Sequence, residues 1–132
     1  MGARERCATV KEMSTGKRIV AAIDDVFFMA KVKDAATAAG LPIEFARSQR
    51  DAVERAGKGV CLVVVDLNAP KFKPVELIVE LKALGVPTLG FLSHVNVELR
   101  AKAEEAGADR VLARSALAQN INSLFREFAW ED

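Results

Sequence analysis

Val60-Cys-Leu-Val-Val-Val65, followed by Asp66-Leu-Asn-Ala-Pro70, holds six apolar residues in a row and then a carboxylate at the start of a turn. A run this short, free of polar side chains and rich in β-branched residues, predicts a strand buried on both faces, as strands are in parallel sheets covered by helices. The acid that ends it predicts the edge where such a sheet meets solvent.

Outward from this run, the same alternation repeats. Ile19-Val-Ala-Ala-Ile23 is a second continuous apolar strand. Phe27 to Ala39 places Phe28, Val32, Ala35, Ala36 and Ala39 at helical spacing, and Gly40 with Pro42 stops that helix. Pro42 to Ala46 predicts a short strand, and Ser48 caps a helix running to Gly57. Past Asp66, a loop to Lys73 leads to Pro74 at the start of a helix ended by Gly85. Thr88-Leu-Gly-Phe-Leu92 is a strand, Val97 to Ala106 a helix ended by Gly107, and Arg110-Val-Leu-Ala113 a short strand. A closing helix from Ala116 to Phe128 carries Leu117, Ile121, Leu124, Phe125 and Phe128 on one stripe, and the phenylalanines are expected in the core.

Strand-then-helix units predict parallel strands with right-handed crossovers. A closed eight-unit barrel needs about 200 residues or more. The expected fold is therefore α/β, a three-layer open sandwich of a five-stranded parallel sheet and five helices, with the strand order 2-1-3-4-5 that five such units commonly adopt.

The chain has 132 residues, 51% of them apolar and 28% charged, as expected of one globular domain. Nineteen basic residues nearly cancel eighteen acidic ones, and this balance argues against nucleic-acid or membrane-surface binding. Residues 1–18 nevertheless carry a net +3, leaving −2 for the remaining 114. Residues 1–17 read as a flexible basic N-terminal arm and 18–130 as the domain. Met13, before Ser-Thr-Gly-Lys17, offers an alternative natural start. Cys7 and Cys61 form neither a disulfide framework nor a zinc site, and Cys61 reads as a small buried hydrophobe, which suits a reduced cytoplasmic chain. No apolar run approaches the roughly 18 residues of a membrane span, and residues 1–7 lack a signal-peptide apolar region. Ser14-Thr-Gly-Lys17 lacks the first glycine of a phosphate-binding loop and precedes a strand.

In an open parallel sheet, ligands bind beyond the carboxyl ends of the strands, where strand order reverses. The order 2-1-3-4-5 brings Asp24 and Asp25 next to Asp66, with Ser93 and His94 after the fourth strand and Arg114 after the fifth. Three carboxylates at one edge call for a cation, and Mg²⁺ takes one or two carboxylates with water and phosphate oxygens. A carboxylate so placed can also attack phosphorus, and Asp66 is the candidate nucleophile. On a blander reading, Asp24 and Asp25 are helix-cap carboxylates, Asp66 and Ser93 ordinary loop residues, and His94 and Arg114 solvated surface groups.

These residues resemble the response-regulator receiver domain, the CheY-like phosphoacceptor module of two-component signalling, over Lys17 to Phe128. The resemblance rests on Ile19-Val-Ala-Ala-Ile-Asp-Asp25, on Leu62-Val-Val-Val-Asp-Leu-Asn-Ala-Pro70, on Thr88-Leu-Gly-Phe-Leu-Ser93 and on Gly107-Ala-Asp-Arg-Val-Leu-Ala-Arg114. It implies a flavodoxin-like fold with phosphorylation at Asp66. It further implies Mg²⁺ on Asp24, Asp25, Asp66 and the Asn68 backbone carbonyl, with the Ser93 hydroxyl on the phosphoryl group. The implied partners are a histidine kinase or phosphotransfer protein and a downstream protein target, with output by protein contact because the chain ends at Asp132; a homodimer is also compatible. The chain departs from the family at Arg114-Ser115, where Lys-Pro is usual. Val111 stands at the aromatic switch position, His94 where a small residue is usual, and Lys71-Phe-Lys-Pro74 where an acid and glycine are typical. These departures keep open a second reading, a phosphorylation-independent pseudo-receiver acting as an interaction or dimerisation module. The chain is expected not to be an enzyme: a haloacid-dehalogenase-type phosphohydrolase is disfavoured because Asn68 stands where its second aspartate would be.

Overall fold

A computed structural model describes residues 18–93 and 96–130 of the chain. The N-terminal arm, Cys7, Met13 and His94 lie outside the described residues. Five strands alternate with five helices: β1 (Ile19–Ala22), α1 (Val26–Ala38), β2 (Ile43–Phe45), α2 (Gln49–Ala56), β3 (Leu62–Asp66), α3 (Pro74–Ala83), β4 (Thr88–Leu92), α4 (Val97–Ala106), β5 (Arg110–Ala113) and α5 (Arg114–Trp130). A 3-10 turn at Pro70–Phe72 lies between β3 and α3. The sheet has the order β2-β1-β3-β4-β5 with every pair parallel, as the alternation predicts.

The pleat of the sheet divides the core in two. Ile19, Ala21, Leu62, Val64, Leu89 and Phe91 pack against α1 and α5, where Phe28, Val32, Leu117 and Phe125 lie buried. Val20, Ala22, Val63 and Val65 face α2, α3 and α4, against Ala52, Leu77, Ile78, Leu81 and Ala103. Every residue of β3 and of β4 is buried, so neither strand presents a solvated face. Phe72, in the 3-10 turn, is fully buried and anchors the loop that follows Asp66. Lys73 next to it adopts a left-handed conformation, φ 46°, uncommon for a residue with a side chain. Pro74 then opens α3, as its fixed φ favours.

Three features differ from the sequence expectation. Phe27 is not a core residue: it is 86% exposed, because it occupies the first turn of α1 on the side away from the sheet. Cys61 is half-buried, since β3 begins one residue later and its ordered ladder extends to Asp66. The closing helix begins at Arg114, directly from β5.

Gly107 ends α4 with φ 118°, and a Cβ there would meet the Lys82 side chain at 2.8 Å. Gly107→Ala is therefore expected to cost about 1–2 kcal/mol of unfolding free energy, measured by urea denaturation, through strained backbone and a displaced Lys82 stem.

Candidate functional site

The carboxyl ends of β1, β3, β4 and β5 bring the sequence-predicted residues to one edge of the sheet. Asp66, the last residue of β3, is 5% exposed. The main-chain N–H of Asn68 donates to its Oδ1 at 2.9 Å. Burial pushes the Asp66 carboxyl above its ordinary value; main-chain hydrogen bonds from Asn68 and Asp24 oppose this, and the charges of Asp25 and Asp24 add to it.

Asp25 and Asp24 separate in role. Asp25 is the N-cap of α1: its Oδ1 accepts from the N–H groups of Phe27 and Phe28 at 3.0 and 3.2 Å. Its Oδ2 pairs with the Arg114 guanidinium at 2.8 Å. Arg114 Cζ lies 5.1 Å over the Phe28 ring, and Phe28 in turn meets Phe91 of β4 with ring centroids 4.8 Å apart. The arginine is thus held between a carboxylate and an aromatic face, an arrangement suited to a planar guanidinium. Asp24 is more exposed and faces Lys71 Nζ at 3.6 Å, while the same ammonium lies 5.1 Å from the Phe72 ring. An exposed pair of this kind contributes about 0–1 kcal/mol.

Asn68 also braces the site. Its side-chain Oδ1 accepts from the Ser93 N–H at 2.6 Å, tying the loop after β3 to the end of β4. Ser93 itself is exposed at that edge.

The expected convergence of three carboxylates is only partly realised. Asp24 and Asp25 are near enough to act on Asp66 electrostatically, but each has its own cation. Among the described residues, no three acidic, histidine or cysteine side chains gather closely enough to form a metal-ligand group. The sequence reading missed three contributors: Lys71 as the counter-charge of Asp24, the Asn68 side chain as a brace, and Phe28 as the seat of Arg114. Phe28 stands three residues after Asp25 in the first turn of α1, a spacing that brings its ring within reach of a group paired with the cap. Val111 is buried, packing with the core on the α4 side of the sheet.

No protein-family model matches the chain, and no curated protein matches it. Among solved structures, it is similar to a response regulator from Hahella chejuensis, with TM-score 0.76 and 17% identity over 86% of this chain and 96% of that one. It is also similar to a CheY-like response regulator receiver domain protein from Methanospirillum hungatei, with TM-score 0.70 and 20% identity over 85% and 95% of the two chains. A third similar structure is the chemotaxis protein CheY4 of Vibrio cholerae, with TM-score 0.72 and 18% identity over 85% and 98%. The chain has the flavodoxin-like fold of CheY-like receiver domains.

The raised Asp66 carboxyl makes a signed prediction. A carboxyl that binds its proton more tightly folded than unfolded contributes stability that is fullest below the unfolded value and is lost as pH rises through the folded one. Asp66→Asn keeps an acceptor for the Asn68 N–H without a charge to bury. Its urea midpoint is expected to exceed that of the parent at pH 7, with the gap closing as pH falls toward about 4.

Proposed function

We propose that the chain is a receiver-type signalling module that accepts a phosphoryl group on Asp66 from a histidine kinase or phosphotransfer protein and passes the signal on by protein contact. The observation that carries this reading is the buried, hydrogen-bonded Asp66 carboxylate at the end of β3, beside Asp24 and Ser93 on a receiver fold. Its raised pKa makes it a more basic, hence stronger, nucleophile than a solvated aspartate. One carboxylate oxygen attacks the donor's phosphorus and forms an acyl phosphate, while the donor's phosphorus–nitrogen bond breaks and its electron pair stays with the departing nitrogen. The Ser93 hydroxyl, at the end of β4, donates to a phosphoryl oxygen.

Mg²⁺ fits a reduced version of the expected ligand set. Asp66, Asp24 and the Asn68 carbonyl would hold it, giving two carboxylates and a neutral oxygen, the hard-donor number this ion takes with water. Asp25 was expected among the ligands, but its oxygens are engaged by the α1 cap and by Arg114. Held by these residues, the ion would supply positive charge to a transferring phosphoryl group. Phosphorylation adds charge beside Asp25 and competes for Arg114, biasing the start of α5 and, through Ser93 and Asn68, the loop after β4. Output on the α4, β5 and α5 surface suits this placement.

The Arg114–Asp25 pair favours a second reading. A fixed guanidinium already neutralises part of the acidic edge, which suits a pseudo-receiver that acts without phosphorylation.

Incubation with Mg²⁺ and acetyl phosphate or phosphoramidate, read by intact mass, is expected to give a single phosphoryl adduct that Asp66→Asn lacks. No adduct with any donor assigns the chain to the second reading, and sustained phosphomonoester turnover would make it a hydrolase. In a calorimetric Mg²⁺ titration, Arg114→Ala frees an Asp25 oxygen and is expected to tighten binding by about tenfold, roughly 1.4 kcal/mol; unchanged affinity would mean that Asp25 stays outside the ligand set even when released from Arg114.

A further inference from the structure

Beyond the ends of β4 and β5 lies a cavity of about 540 Å³ that does not include Asp66, although Ser93 and Arg114 of the acidic edge are among its lining residues. This volume falls within the range of small-molecule sites. Phe28, Leu92 and Val97 supply apolar lining, and three cations, Lys31, Arg100 and Arg114, supply charge. No carboxylate is among its described lining residues. The charge pattern is a local reversal, because the chain beyond residue 18 carries a net −2.

The three cations are not equally committed. Arg114 is shared with Asp25 at 2.8 Å, and Arg100 meets Glu104 at 3.5 Å in an exposed pair of little strength. Lys31 makes no ion pair among the described residues. The apolar side is equally unusual: Val97, at the first position of α4, is 78% exposed, while Phe28 behind it is 3% exposed. A wall that grades from a buried ring to an exposed valine, edged by cations, offers an apolar seat and a counter-charge together.

We propose that this cavity binds a small organic carboxylate with an apolar body, the body against Phe28, Leu92 and Val97 and the carboxylate toward Lys31 and Arg100. The site adjoins the acidic edge through Ser93 and Arg114, but the proposed contacts use neither of them, nor Asp66.

The full chain, labelled with ¹⁵N, is titrated with 3-phenylpropionate and separately with its neutral counterpart 3-phenylpropan-1-ol and with inorganic phosphate. Saturable shifts centred on Phe28, Lys31, Val97 and Arg100 are expected for the carboxylate, with binding at least tenfold weaker for the alcohol and for phosphate. Lys31→Glu and Val97→Asp, both on exposed positions of helices, are each expected to weaken the carboxylate at least fivefold while leaving the rest of the spectrum in place. Asp66→Asn is expected to bind as the parent does, which separates this site from the phosphoacceptor reading. Three results would overturn the proposal: no saturation, equal binding of the alcohol or phosphate, or affinity unmoved by both helix variants.

Discussion

β3 is dry on both sides. Its five residues are buried between two helical layers, and the last of them is Asp66. A charged group at the end of such a strand loses most of its water while its backbone remains locked in the ladder, so it has to be compensated by what neighbouring loops bring to it. The Asn68 N–H does so directly. Two further acids raise the electrostatic cost, and each of them is paired with a cation of its own, Asp24 with Lys71 and Asp25 with Arg114.

Those cations arrive by different routes, which gives the edge its asymmetry. Lys71 comes from a 3-10 turn after β3, pinned by buried Phe72, and reaches across to Asp24 at the end of β1. Arg114 begins α5, directly after the edge strand β5, and is seated on Phe28, whose ring packs on Phe91 in the core. A core contact therefore fixes the arginine's position. A lysine in its place would keep the charge but lose the planar stacking on that ring.

The fold was largely legible in the chain because each signal was local and repeated: apolar runs bounded by glycine, proline or an acid, and helical stripes between them. Parallelism followed from the length of the connections, and the order is the one that five such units commonly adopt. The location of the site was legible for the same reason, since the ends of strands are fixed once the strands are. What was not legible is the pairing among charged side chains. Asp24 and Asp25 are adjacent in sequence and both precede α1, yet the cap geometry turns one toward Arg114 and leaves the other for Lys71. Phe27 and Phe28 show the same limit, because one residue of helix phase separates an exposed ring from a buried one.

The two outer strands have a consequence for how copies of the chain can meet. β2 is only three residues long, and its central Glu44 is clasped by Arg18 at 3.3 Å and Arg55 at 2.8 Å. β5 opens with Arg110, which reaches Glu127 of α5 at 3.9 Å. Short, charge-guarded margins are poor templates for another strand. The sheet is thus closed to lateral extension without being a barrel, and any association that respects these margins is made through helices and loops.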